Sequence, residues 1–250
     1  MFRSLKSDVK CIRDRDPACK SGIEAFLCYP GLWAVRSHRR AHWLHTHGIK
    51  LLARVDSSIC RFFTGVDIHP GAVIGERLFI DHAQGVVVGE TAVIGDDVTI
   101  YQGATLGGTG KQTGKRHPTV GSHVTISAGA SVLGPLTVGD YAKVGAGAVV
   151  LNDVPAFATV VGVPGRVVRM RGCPIAAKVA CACTDEGVTN ASTCDRRDDC
   201  SIRESCTQTA RRAGEAGVDL DQVHLPDPVE QEMRALEARI VELEKRLSER

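Results

Sequence analysis

The chain has 250 residues, with 31 Lys and Arg against 29 Asp and Glu and a formal net charge of +2. That imbalance is too small to argue for a nucleic-acid or anionic-membrane partner. No apolar run approaches the roughly 18 residues a membrane span needs, and Met1 leads into charged, helix-patterned sequence rather than a secretory h-region, so a cytoplasmic location is expected. Aromatic residues make up only 4%, which suits a narrow core built from Val, Ile, Ala and Gly.

Residues 1–65 are predicted to be helical. Asp16-Pro17 has the form of a helix start, with Asp16 as N-cap and Pro17 at the first helical position. Leu32, Val35, Trp43, Leu44, Leu51 and Leu52 are among the residues that supply apolar faces, and Gly48 marks a bend. His38, Arg39, Arg40, His42, His45 and His47 form a basic cluster with no Cys or carboxylate between them, expected to be a solvated or subunit-facing helix surface. Cys11, Cys19, Cys28 and Cys60 are expected to be buried free thiols.

From Ile68 onward a branched aliphatic residue returns every sixth position: Ile68, Ile74 and Ile80, then Val88, Ile94, Ile100 and Leu106, then Val120, Ile126, Val132, Val138, Val144 and Val150. Glycine often follows, as in Ile74-Gly75 and Val138-Gly139. A period of six fits neither a helix nor a flat strand. It fits a parallel β-helix solenoid with three short strands per coil, aliphatic residues inward and glycine allowing the backbone conformation at the corners. This reading resembles the hexapeptide-repeat acyltransferases, which implies a left-handed parallel β-helix over residues 66–172, closing with an exit strand, and a trimer.

Two interruptions break the ruler. The step from Ile80 to Val88 is two residues too long and carries Asp81-His82; between Leu106 and Val120 a Gly-rich polar loop, Gly107–Pro118, leaves the prism. Loops on rigid scaffolds are where function collects. Counting strands from Ile68 puts His82 on strand three, in a column continued by Gln102, Ala128 and Ala146, while the loop follows strand seven and leaves from a corner of the other two faces. The two features then cooperate most simply across a subunit boundary, and the alanine column suits a long thin ligand such as coenzyme A. Asp67, about one coil before His82, has the chemistry to fix the imidazole tautomer and leave the other nitrogen to take a hydroxyl proton.

Residues 173–224 form a cysteine-rich insert or linker, with Cys173, Cys181, Cys183, Cys194, Cys200 and Cys206 among polar residues. Their spacing matches no defined zinc or iron-sulfur motif, so a metal or Fe-S cluster, disulfides and a thiol-rich linker all stand as expectations. Residues 225–250 place Val229, Met233, Leu236, Ile240, Leu243 and Leu247 at coiled-coil spacing after Leu225-Pro226-Asp227-Pro228.

The segments Asp14-Arg15-Asp16-Pro17-Ala18, Val66-Asp67-Ile68-His69-Pro70, Ile80-Asp81-His82-Ala83, Gly89-Glu90-Thr91, Thr105-Leu106-Gly107-Gly108-Thr109-Gly110-Lys111 and Lys115-Arg116-His117-Pro118 resemble those of the serine O-acetyltransferases in their short bacterial form. The resemblance implies transfer of acetyl from acetyl-CoA to L-serine, the first step toward cysteine. It implies His82 as general base, Asp67 as its orienting carboxylate, Asp16 and Asp81 on the serine ammonium, and Arg116 and His117 of a neighbouring subunit on its carboxylate. Gly108 and Thr109 would bind the pantetheine arm and the oxyanion, Ala128 and Ala146 would line the coenzyme A groove, and Lys143 would meet its phosphates. Members that dock into O-acetylserine sulfhydrylase typically end in Ile, whereas this sequence ends in Arg250.

Three other readings compete. A trimeric acetyltransferase for a sugar would lack the clamp of Asp16, Asp81, Arg116 and His117. A γ-type carbonic anhydrase would use His82, His117 and His123 on zinc. A non-catalytic scaffold would have no need of two polar excursions.

Overall fold

The computed structural model describes residues 2–110 and 113–170, together with Met233, Leu236, Glu237, Arg239 and Ile240. Four helices come first: α1 (Phe2–Arg15), α2 (Gly22–Cys28), α3 (Pro30–Thr46) and α4 (Lys50–Thr64). Asp16 does not cap a following helix. Its N–H donates to the Ile12 carbonyl at 2.8 Å and closes α1, because Pro17 has no N–H to continue the ladder. The Asp16 carboxylate instead accepts from Ala18 N–H at 2.8 Å in a turn. Ser21 is the N-cap of α2, accepting from Glu24 N–H at 3.1 Å. Pro30 occupies the first position of α3, and α4 ends on Gly65 in the left-handed region.

The chain then winds through three parallel sheets. The first holds β1 (Asp67–Ile68), β4 (Val87–Val88), β7 (Thr105–Gly107), β10 (Ser131–Leu133) and β13 (Val149–Val150). The second holds β2 (Val73–Ile74), β5 (Val93–Ile94), β8 (Thr119–Val120) and β11 (Thr137–Val138). The third holds β3 (Phe79–Asp81), β6 (Thr99–Tyr101), β9 (Thr125–Ile126), β12 (Lys143–Val144) and β14 (Ala158–Val161), with the exit strand β15 (Arg166–Met170) turned back antiparallel on β14. Registers such as Ile80 to Ile100 to Ile126 stack the six-residue ruler coil on coil. Of the thirteen aliphatic positions only Ile74, in the first coil, is incompletely buried.

The helical layer covers the start of the prism. Ala34 and Val35 of α3 join the solenoid core, and Ser57 of α4 donates to the Ile68 carbonyl at 2.7 Å. At Gly31 the approach of α3 to β3 is so close that an added Cβ would lie 2.1 Å from the Ile80 carbonyl oxygen. The histidine-bearing face of α3 is therefore not simply solvated. His38 is buried, and a ring nitrogen of His42 pairs with the Pro70 carbonyl at 2.8 Å. Of the four N-terminal thiols, all free, Cys11 and Cys19 are buried, Cys60 is half-buried and Cys28 is exposed.

The repeat glycines serve packing rather than corner conformation. None of Gly75, Gly89, Gly95, Gly121, Gly139 and Gly145 has positive φ; on the edge between the second and third sheets that role falls to Arg77, Asp97, His123, Tyr141 and Phe157. At Gly139 an added Cβ would lie 2.5 Å from Ala156 N and 2.8 Å from its Cα. Both are backbone atoms of the next coil and cannot swing away. Met233, Leu236 and Ile240, on the expected coiled-coil seam, belong to helix and are exposed; the rest of that seam and the Cys173 to Cys206 segment lie outside the described residues.

Two consequences for stability follow. Gly139→Ala forces neighbouring coils apart and should lower unfolding stability in urea by about 1–3 kcal/mol. His38 is pulled down to about 3, by burial above all and then by His42, against a hydrogen bond with the Ala72 backbone. The folded chain therefore leaves this imidazole neutral while the unfolded chain protonates it, so stability drops as pH falls below about 6.5, toward a ceiling of roughly 5 kcal/mol near pH 3. Thermal melts from pH 7.5 to 4.5 should show a shallower acid loss for His38→Gln than for the parent chain.

Candidate active site

Asp81 ends β3, and the residues after it make the extra two-residue step. His82 and Ala83 both have positive φ, 56° and 55°, so His82 stands just past the strand rather than in it. Its side chain is 71% exposed, with Nε2 3.8 Å from Asp81 Oδ2; its backbone N–H donates to Asp81 Oδ1 at 2.9 Å. Asp81 is pushed above the usual carboxylate range by burial, a shift that His82 opposes and the nearby Asp16 charge reinforces. Asp16 accepts the Tyr29 hydroxyl on Oδ2. Tyr101, the register partner of Asp81 on β6, is pushed up to about 12 by burial, by Asp81 and by Asp16. The fold thus gathers two acids, two phenols and an exposed imidazole at one place, between the α1–α2 turn and the end of β3.

Asp67 makes a different contact from the one expected. In this chain its Oδ2 pairs with Arg61 of α4 at 3.0 Å, and His82 has Asp81 as its carboxylate neighbour. A guanidinium offers a full positive charge where a neutral imidazole offers only a dipole, so the carboxylate turns to the arginine.

The loop between β7 and β8 folds back on its own corner. Arg116 pairs with Glu90, and Thr91 Oγ1 accepts from Arg116 N–H at 3.0 Å and His117 N–H at 3.1 Å. His117 Nδ1 accepts from Thr91 N–H at 3.2 Å, and Lys115 Nζ donates to the Thr91 carbonyl at 2.8 Å. The His117 ring is buried, and burial first, then Arg116, lowers its pKa. Glu90 is held low mainly by Arg116. Glu90 and Thr91, which no spacing argument had given a task, are the anchors of this loop.

The three prism edges separate the site residues. The edge from the third to the first sheet carries His82 and, below it, Gln102, Ala128 and Ala146; Gly103, Gly129 and Gly147 there have positive φ. Gln102 Oε1 is buried beneath His82 without a hydrogen-bond partner. Lys143, half-buried on β12, precedes Ala146 on the third sheet. The edge from the first to the second sheet carries Glu90, Thr91, exposed Gly108 and Thr109, Arg116 and His117. His123 sits on the remaining edge and stacks on Tyr141 at 4.6 Å. His82, His117 and His123 therefore lie on three different edges, and among the described residues no group of three or more His, Cys, Asp or Glu is arranged to hold a metal ion.

Residues 117–152 match the family model for bacterial transferase hexapeptide, six repeats. A serine acetyltransferase from Bacillus subtilis is 45% identical over 249 residues, 100% of this chain and 96% of its own length. One from Mycobacterium tuberculosis is 58% identical over 168 residues, 67% of this chain and 73% of its own. Among solved structures, a serine acetyltransferase from Brucella abortus in complex with coenzyme A superposes with TM-score 0.67 at 46% identity, covering 69% of each chain. One from Neisseria gonorrhoeae in complex with serine gives TM-score 0.65 at 45% identity, covering 67% of this chain and 69% of that one. These matches and the hexapeptide repeat fit the coil as a left-handed β-helix.

Thr91→Val keeps the shape at the loop anchor and removes the oxygen that two backbone donors share. Hydrogen exchange at Arg116 and His117 should quicken by about ten-fold or more, with the β6 and β9 amides unchanged.

Proposed function

The chain belongs to the serine acetyltransferase family of acetyl-CoA-dependent acyltransferases, one member of which it matches over 100% of its length and another over 67%, and from that premise we propose that its active site is built between two copies, with His82 as the general base. In this reading the serine hydroxyl gives its proton to His82 as its oxygen attacks the thioester carbonyl. The tetrahedral oxyanion collapses directly, without an acyl-enzyme, expelling the coenzyme A thiolate, which takes the proton back from the imidazole. The acetyl group ends on the serine oxygen as O-acetylserine, the first product on the way to cysteine.

One observation carries the choice of acceptor: an acid pair at one prism edge and a cationic loop at another. Asp16 and Asp81 suit an ammonium, and Arg116 with His117 suit a carboxylate. A sugar would need neither. Because the two clamps stand on different edges of one prism, a homotrimer that sets one copy's loop against the next copy's His82 would complete the site. The exposed apolar face of α4, with Leu51 77%, Phe62 84% and Phe63 77% exposed, supports an assembled state. Acetyl-CoA would lie along the strip of Ala128 and Ala146, with Lys143 toward its phosphates and the backbone at Gly108 and Thr109 of the adjoining copy near the thioester oxygen. For Asp67 to orient His82 its contact with Arg61 must open. That guanidinium is 65% exposed, and such a pair is worth only about 0–1 kcal/mol, so serine and a second subunit would outweigh it.

No described helix is long and apolar enough to cross a membrane, and small cytoplasmic metabolites as substrates support a cytoplasmic enzyme. Release of O-acetylserine as product makes an enzyme that consumes it, such as O-acetylserine sulfhydrylase, the fitting docking partner. The test is release of free coenzyme A from acetyl-CoA with L-serine, against homoserine, threonine and sugars. L-Serine should be preferred, and His82→Ala should lower turnover by about 10³-fold with the oligomer unchanged on gel filtration. Full activity in that variant would remove His82 as base.

A further inference from the structure

Tyr29 belongs to none of the motifs that carry the family resemblance, yet its position is unusually determined. It is the single residue between α2 and α3, extended at φ −104° and ψ 96°. Pro30 directly after it keeps it out of the helical region, and Gly31 is pressed against the Ile80 carbonyl. The backbone of Tyr29 is therefore tied to β3, the strand that ends in Asp81. Its ring packs at the margin of the core of Cys11, Ile12, Cys19, Ala25, Leu32 and Phe79. Its hydroxyl reaches thirteen residues back in sequence to Asp16 Oδ2.

Asp16 by contrast sits in a turn after α1, among the exposed residues 17, 18 and 20. Its Oδ1 takes the Ala18 N–H, a contact inside the same turn that moves with it. The Tyr29 hydroxyl is the side-chain bond that ties this carboxylate to the scaffold carrying Asp81. We propose that Tyr29 is a positioning residue for the acceptor's ammonium group, fixing Asp16 opposite Asp81 with a donor that brings no charge. This rests on the reading of Asp16 and Asp81 as the ammonium clamp.

The absence of charge is the physical point. Two facing carboxylates repel, and Asp81 is already raised by burial and by Asp16. A lysine or arginine at position 29 would relieve the repulsion but occupy the place of the substrate cation. A phenol spreads the Asp16 charge while leaving the pocket negative, and it stays protonated because burial and Asp16 itself push its own ionisation far up.

The test is Tyr29→Phe, which keeps the ring and removes the donor. KM for L-serine should rise about ten-fold, KM for acetyl-CoA should stay within about two-fold, and the acid limb of kcat/KM for serine should move to higher pH as Asp81 faces a less restrained Asp16. In an Asp16→Asn background the same substitution should add little, because the two act through one contact. If Asp16→Asn raises the serine KM but Tyr29→Phe does not, the positioning role is wrong and the clamp stands. If Asp16→Asn leaves the serine KM unchanged, the clamp itself is wrong. A Tyr29→Phe protein that melts lower and loses affinity for both substrates alike would reduce Tyr29 to packing and overturn the proposal.

Discussion

A coil of two- and three-residue strands cannot exist by itself. Each presents one aliphatic side chain per sheet to the axis, and only the coils above and below cover it. Burying one such side chain stabilises by about 1.5–3 kcal/mol, so stacking supplies nearly all the drive for folding, and any coil without a neighbour is exposed on one side. At the start of the prism α3 provides that cover with Ala34 and Val35; at the far end β15 folds back on β14. The glycine contacts express the same demand from outside, since coils spaced by parallel pairing leave no room for a Cβ at positions such as Gly139 and Gly121.

The rigid ruler is what makes a deviation from it chemically useful. Two extra residues after β3 push His82 and Ala83 into the left-handed region and swing an imidazole out of the ladder, while the coil resumes in register at β4. The loop before β8 does the same on another edge. Neither excursion disturbs the inward positions, because Ile80, Val88, Leu106 and Val120 are all buried. The scaffold thus holds its two polar excursions at fixed separation around its circumference, a separation that one prism does not close by itself.

The six-residue period made the fold legible because it reports a long-range contact directly: residues six apart share an orientation, and three sixes make a stack. Strand order and the corner from which the loop leaves followed from counting, whereas His82 lies one position past the strand that counting gave it, on the edge between the third and first sheets. What counting could not supply were contacts between elements of different period. The Asp-Pro pair that resembles a helix start closes the preceding helix, because only tertiary context decides on which side of Pro17 the helix lies. The histidines of α3 look like a basic face until the first coil covers His38 and strips it of charge. Asp67 turns to Arg61, six residues back on a helix, and Tyr29 binds Asp16 across a helix and a turn. Neither pairing leaves a repeat in the sequence.

These inter-element contacts have a common feature. Asp16, Asp67, Arg116 and His117 are each held by a polar partner: Tyr29, Arg61, Glu90 and Thr91. The partners differ in how firmly they hold. The exposed Arg61 contact is cheap to break, while the His117 ring is buried on its corner and Tyr29 is tied to β3 through Pro30 and Gly31. In the proposed mechanism Asp67 would pass from a guanidinium to an imidazole, which suits a weak restraint, whereas Asp16 would meet an ammonium at a fixed place, which suits a firm one. The strengths of these restraints, set by burial and by whether the partner carries charge, therefore follow the task each side chain would perform.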